Sequence, residues 1–109
     1  MTDTLQPAFR ALADPTRRAI LHMLGDRDMT IAQVSDHFDM TRAAVKKHLT
    51  VLKEGDLITV RTKGRERINT LHAAGMKPVT DWLNFFDQFW DEKLAGLKDA
   101  IENKDISND

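Results

Sequence analysis

The sequence predicts a mainly α fold with a small β-hairpin, and three observations carry that prediction. Apolar residues recur at helical spacing from Leu5 to Leu52 and again from Val79 to Ile101. Between them, Leu57 to Leu71 alternates apolar and polar residues about Gly64, the pattern of two strands joined by a tight turn. Charge, finally, is placed rather than spread. From Arg42 to Arg67 eight Lys/Arg stand against Glu54, Asp56 and Glu66, a local charge of +5. From Asp81 to Asp109 eight Asp/Glu stand against three Lys, a local charge of −5, although the 109-residue chain carries only −1. Such a polarity lets one end meet a polyanion while the other does not.

Each element has a local cause. Leu5, Ala8, Phe9 and Leu12 form one face of a short helix. Asp14-Pro15 restarts the chain, with Asp14 as cap and Pro15 at the first helical position, where its missing N–H costs nothing. That helix turns Ala19, Ile20, Met23 and Leu24 inward and is expected to stop at Gly25. Thr30 and Gln33 are spaced as a capping box, and Ile31, Val34 and Phe38 give the buried stripe of a two-turn helix. Asp39-Met40 makes a turn, and Thr41 caps a further helix whose Val45, Leu49 and Leu52 recur on one face. At roughly 100° per residue, Ala43, Lys46, Lys47 and Thr50 fall on the other.

Leu57 to Thr62 and Glu66 to Leu71 read as strands with Lys63-Gly64 as the turn signal; Ile58, Val60 and Ile68 are expected to face the domain. Ala73 to Lys77 makes a short helical or irregular step. One long helix then runs from Pro78 to about Asn103, leaving Lys104 to Asp109 as a frayed polar tail. Its apolar residues cover about half the circumference, wider than the usual stripe. Five of the seven aromatics lie between Trp82 and Trp90, more than one flank of a small domain hides, so a second copy is expected on the other flank.

The bulk properties narrow the class. The length suits a single domain over residues 1–109 with one core. No run of eighteen apolar residues is present to cross a membrane. Met1-Thr2-Asp3-Thr4 lacks the basic and apolar regions of a signal peptide, which predicts a cytoplasmic protein. Without cysteine there is no disulfide, thiolate metal site or thiol chemistry, and no nucleophile–base pair, paired carboxylates or phosphate loop points to an enzyme. No catalytic residue and no cofactor is assigned. His22, His37 and His72 lack the spacing of a shared metal site.

The order of elements is that of a winged helix-turn-helix: the helix-turn-helix at about 30–54, the wing at about 57–71 and a dimerisation helix at about 78–103. Val34, Phe38, Met40, Thr41, Val45, Lys47-His48-Leu49, Val51-Leu52, Glu54 and Leu57-Ile58 resemble the helix-turn-helix pattern of the ArsR/SmtB-type bacterial repressors. Ala11-Leu12-Ala13-Asp14-Pro15-Thr16-Arg17-Arg18-Ala19-Ile20-Leu21 is similar to that family's amino-terminal signature, and Gly64-Arg65-Glu66-Arg67 to its wing tip. The resemblance covers about residues 8–71. Trp82 to Leu97, with Phe89-Trp90-Asp91-Glu92-Lys93-Leu94, looks like the branch often found beside genes for START-like hydrophobic-ligand proteins.

The resemblance implies a homodimeric repressor on double-stranded DNA, with the first and last helices at the dimer interface. Metal-sensing members place cysteines on the first helix of the helix-turn-helix, or Asp, His and Glu ligands on the terminal helix. Here the first position reads Gln33-Val34-Ser35-Asp36 and the terminal helix has no His, which places the chain in the branch without the cysteine metal site. Its effector is not named by the sequence. Two departures from the pattern are Asp39, where a turn Gly is common, and Gly55-Asp56, where Ala-Gly is usual.

The expected DNA contacts are Arg42, Ala43, Lys46, Lys47 and Thr50 on the recognition helix, Lys63, Arg65 and Arg67 on the wing, and Thr30 and Thr41 at helix amino termini. The helix face also fits a solvated surface, and the wing cations also fit edge charges that prevent aggregation; their adjacency favours DNA. His48 sits off the outward face and reads as a structural hydrogen bond to backbone, while Arg17 and Arg18 read as helix-surface charges, Arg17 within reach of a phosphate. Leu5, Phe9, Trp82, Phe85, Phe86, Phe89, Trp90 and Leu97 are the expected dimer residues. The alternatives are an apolar effector pocket at that interface and a protein-interaction module that kept the fold without specific DNA binding.

Overall fold

The computed structural model describes residues 5–107, the last five as backbone only; the expectations for Met1–Thr4 and for the last two residues lie outside the described residues. Helices α1 (Leu5–Leu12), α2 (Pro15–Asp26), α3 (Ile31–Ser35) and α4 (Arg42–Glu54) precede a hairpin of β2 (Ile58–Lys63) and β3 (Glu66–Leu71). A 3-10 turn over Ala73–Met76 leads to α5 (Lys77–Asn84) and α6 (Asp87–Ser107). A two-residue strand β1 (Met29–Thr30) joins the hairpin, giving an antiparallel sheet of order β1-β3-β2. The chain divides after Val79 into two compact units.

The first unit holds the core. Ile20, Val34, Val45, Leu52, Leu57 and Ile58 are fully buried, drawn from α2, α3, α4 and the start of the wing. Each such side chain contributes about 1.5–3 kcal/mol by leaving water. The stripe Val45, Leu49 and Leu52 is buried as its spacing predicts, so α4 must turn its other side outward. The caps also follow the sequence. Asp14 Oδ2 accepts from the Arg17 backbone N–H at 3.1 Å, and Pro15 opens α2. Thr30 Oγ1 accepts from Gln33 N at 3.2 Å while Gln33 Oε1 accepts from Thr30 N at 2.9 Å, completing the capping box.

Several boundaries differ from expectation, each for a physical reason. Gly25 does not end α2, because it does not take the left-handed conformation of a C-terminal cap; among the described residues only Asp56 and Gly64 have positive φ. Helix α3 is five residues rather than two turns, since Ser35-Asp36-His37 are weak helix formers and the next amides bond three residues back, His37 N to Val34 O and Phe38 N to Ser35 O. Phe38 still packs on the core. The hairpin turn is Gly64-Arg65 rather than Lys63-Gly64, because Lys63 pairs with Glu66 and Gly64 supplies the positive φ of 63°.

Register also moves Ile68. Ile58 pairs with Leu71, Val60 with Asn69 and Arg61 with Ile68, so Ile68 shares the face of Arg61, and Asn69 takes the inward place beside Val60. Asn69 is the buried polar residue of the core, and its Nδ2 donates to Met29 O at 3.1 Å, a partner that exists only because β1 pairs there.

The departure at Gly55-Asp56 is a matched pair. Asp56 adopts φ 62°, the left-handed conformation that Asp tolerates better than most residues, and His72 Nδ1 lies 3.0 Å from its carbonyl oxygen. Gly55 faces α1 instead: a Cβ there would come within 2.8 Å of Pro7 O and 3.2 Å of Ala11 Cβ. The small buried Ala8 and Ala11 therefore let α1 lie directly on the end of α4. Gly55→Ala is expected to destabilise the chain by about 1–3 kcal/mol through overpacking, read as a lower urea midpoint at unchanged slope.

The described residues of the second unit are helical except at Phe85-Phe86. The single helix expected over 78–103 is interrupted at Phe85-Phe86, where the amides bond three residues back, Phe85 N to Trp82 O and Phe86 N to Leu83 O. Asn84, the two Phe and Asp87 are all weak helix formers, and the rings of Phe85 and Phe86 meet edge to face at 5.0 Å. Helix α6 then continues through Ser107, past the expected start of the polar tail.

Candidate nucleic-acid interface

Thr41 fixes where α4 begins: its Oγ1 accepts from Ala44 N at 3.1 Å. With one side of α4 committed to the core, Arg42, Ala43, Lys46, Lys47 and Thr50 are all exposed. Thr50 donates its hydroxyl to Lys46 O at 2.9 Å, so its oxygen faces any ligand as an acceptor. Lys63, Arg65 and Arg67 are exposed on the wing.

The structure brings most of the expected residues together. Thr30 and Arg42 line one groove with Arg65 and Arg67. Lys46 and Thr50 line a second with Val60, Arg67 and Asn69, so Arg67 borders both. Ala43, Lys46, Lys47 and Thr50 share a third concavity with Arg10 and Glu54. The outer face of α4 and the inner edge of the wing thus form one continuous basic surface. Lys63 lines none of these grooves and sits opposite Glu66 at the base of the turn. Thr30 is half-buried, and its own N–H is bonded within the capping box, so the expected phosphate contact through that amide is not open.

Electrostatics separate these cations from Arg10 and Arg61. Among the described residues, none of Arg42, Lys46, Lys47, Lys63, Arg65 and Arg67 forms an ion pair. Arg61 pairs with Asp28 at 3.3 Å on the other face of the hairpin, and Arg10 pairs with Glu54 at 3.5 Å. Charges left uncompensated in one place attract a polyanion by counterion release.

Arg17 and Arg18, expected as helix-surface charges, also have backbone partners. Arg17 donates to Ala11 O at 2.9 Å and Arg10 O at 2.8 Å, and Arg18 to Leu12 O at 2.6 Å, so both close the carboxyl end of α1. His48 bonds a side chain rather than backbone, its Nδ1 lying 3.3 Å from Arg17 Nη1. Lys53 and Arg10, which border the grooves, were not among the expected contacts. Lys53 was open to discovery, lying seven residues after Lys46 on the same face; Arg10 depends on a packing that no local pattern reports.

The backbone N–H of Arg17 holds the Asp14 carboxyl below its ordinary value; the Arg17 charge adds to this and partial burial opposes it. A lowered carboxylate value stabilises the fold above the unfolded value of about 3.9 and ceases to do so as pH falls through the folded value. Asp14→Asn keeps a capping side chain that does not titrate. The stability gap between wild type and this variant, measured by urea unfolding, is therefore expected to be largest above about pH 5 and to close in more acid solution.

Metal does not fit the positions that the resemblance indicates. Gln33, Val34, Ser35 and Asp36 offer no thiolate, and α5 and α6 carry no imidazole. Among the described residues no group of three or more His, Asp or Glu is gathered to hold an ion, and no helix is long and apolar enough to cross a membrane.

Comparison with known proteins agrees with this geometry. A family model described as a helix-turn-helix domain matches residues 12–61. The transcriptional repressor SdpR of Bacillus subtilis is 33% identical over 81 residues, covering 73% of this chain and 90% of its own. The HTH-type transcriptional regulator Rv2034 of Mycobacterium tuberculosis is 33% identical over 97 residues, covering 89% of this chain and 88% of its own. The crystal structure of an ArsR family transcriptional regulator, RHA00566, superposes with a TM-score of 0.75 at 31% identity, covering 82% of this chain and 98% of that one.

Proposed function

Since the chain belongs to the ArsR family of winged helix-turn-helix, DNA-binding transcriptional regulators, we propose that it acts as a homodimeric repressor that occupies an inverted-repeat operator. The observation that carries this reading is the uncompensated basic surface shared by α4 and the wing. Helix α4 enters the major groove, with Ala43, Lys46, Lys47 and Thr50 toward the bases and phosphates, and the wing reaches the flanking backbone or minor groove through Arg65 and Arg67. Two copies read half-sites about one helical turn apart, roughly 34–36 Å. Bound there, the protein excludes polymerase from the promoter.

Dimerisation is supported by the second unit. Its large apolar side chains Trp82, Phe85, Phe86, Phe89, Trp90, Leu94 and Leu97 are all exposed in the single chain. The rings of Trp82, Phe85, Phe86 and Phe89 nevertheless contact one another in series at 5.0–6.2 Å, forming one apolar patch. A patch of this kind marks a protein interface; Leu5 and Phe9 of α1, half-buried against the core of the first unit, belong to the proposed set on the family resemblance alone. The protein works where its DNA is, in the cytoplasm.

The test is a mobility-shift titration on the DNA upstream of its own gene. A specific shift that weakens steeply with salt is expected. A chain that shifts neither this DNA nor any other duplex would instead be an interaction module on the same fold.

A further inference from the structure

One side chain of α4 points neither into the apolar core nor toward the basic surface. His48 is only 22% exposed, and its Nδ1 lies 3.3 Å from Arg17 Nη1 across a sequence separation of 31 residues. A guanidinium has no acceptor, so in a hydrogen bond at this contact the arginine donates and the imidazole nitrogen accepts. Asp14 Oδ2 is 3.8 Å away, too far to take that place.

The other donors of Arg17 are also committed. Nε reaches Ala11 O at 2.9 Å and Nη2 reaches Arg10 O at 2.8 Å, both carbonyls at the end of α1. One rigid planar fork in the first turn of α2 therefore ties α1 to the middle of α4. A second tie lies at the end of α4, where Gly55 packs on Pro7 and Ala11 and Glu54 pairs with Arg10 at 3.5 Å. Two ties about two turns apart fix a direction, where one would leave a pivot.

We infer that Arg17 and His48 are positioning residues for DNA recognition, forming a latch that sets the angle at which α4 presents Ala43, Lys46, Lys47 and Thr50. Neither residue touches DNA. The latch acts on base contacts, which need placement to within about 0.5 Å, far more than on phosphate attraction, which tolerates small rotations. The inference rests on the DNA-binding reading of α4.

The probe is a duplex that the wild-type protein selects from a random pool, compared with an unrelated duplex of equal length. His48→Ala is expected to lose roughly tenfold in affinity for the selected duplex, with affinity for the unrelated duplex and the salt slope unchanged. His48→Asn, whose Oδ1 can accept from Arg17 where Nδ1 did, is expected to recover most of the loss. Should His48→Ala prove unfolded in a thermal melt, Arg17→Lys carries the test: it keeps the charge but not the fork, and the same loss of selectivity is expected. Wild-type selectivity in the folded variant overturns the latch, as does failure of His48→Asn to rescue. A fall on both duplexes with a slope lowered by about one also overturns it, by showing a direct phosphate contact. A wild-type protein that enriches no sequence overturns the DNA reading itself, and so is distinguishable from failure of the latch.

Discussion

Replacing Lys47 and Arg65 together by alanine is expected to lower affinity for operator DNA on the order of a hundredfold while leaving the melting temperature within a degree or two of wild type. The two residues sit on the two arms of the basic surface, one on α4 and one at the wing turn. Both are exposed, and neither belongs to an ion pair among the described residues. Their removal therefore costs the fold almost nothing, and alanine is if anything the better helix former at position 47. Each lost phosphate contact reduces the dependence of log affinity on log salt by about one. Fluorescence anisotropy at several salt concentrations separates this from an altered base preference, which would leave the slope intact. If stability falls in step with affinity, the two side chains are structural and the surface is not the reading head. Arg61→Ala is the natural contrast, because that charge is already compensated by Asp28.

What made α4 legible was redundancy. A cap at Thr41, an apolar stripe at helical spacing and a basic opposite face all specify the same helix, and the structure keeps each of them. The capping box at Thr30 and Gln33 is equally local and equally readable. The features that escaped are those decided by partners distant in sequence. Ile68 looks like the inward residue of its strand, and Asn69 like an outward one. Hairpin register reverses them, and β1, too short to show any periodicity, makes the burial of Asn69 tolerable by accepting its amide. Arg17 looks like a surface charge because the three groups it binds lie in α1 and α4. The break at Phe85-Phe86 is hidden for another reason: aromatic residues supply apolar periodicity on both sides of it, so the pattern continues where the helix does not.

Replacing Trp90 by glutamate is expected to give a chain of single mass in sedimentation at micromolar concentration, where wild type is expected to run at twice that mass. Trp90 is 65% exposed in the single chain, among the most open of its large apolar residues. A carboxylate there costs an isolated chain little but is costly inside an apolar contact between two copies. Among the described residues the buried apolar core lies wholly at or before Val79, so the first unit is expected to retain its own fold in the variant. The effect on DNA should exceed that of losing any one cation. A dimer binds its second half-site as an intramolecular event, and breaking it removes that gain of about 10²–10⁴ in affinity while leaving each recognition helix intact. The salt slope should then fall toward half the wild-type value, because half the phosphate contacts are made per bound particle. A variant that stays dimeric places the interface away from Trp90, on α1 or farther along α6. A variant that becomes monomeric yet binds operator as before would mean that one chain reads the whole site, and the inverted-repeat proposal would fall with it.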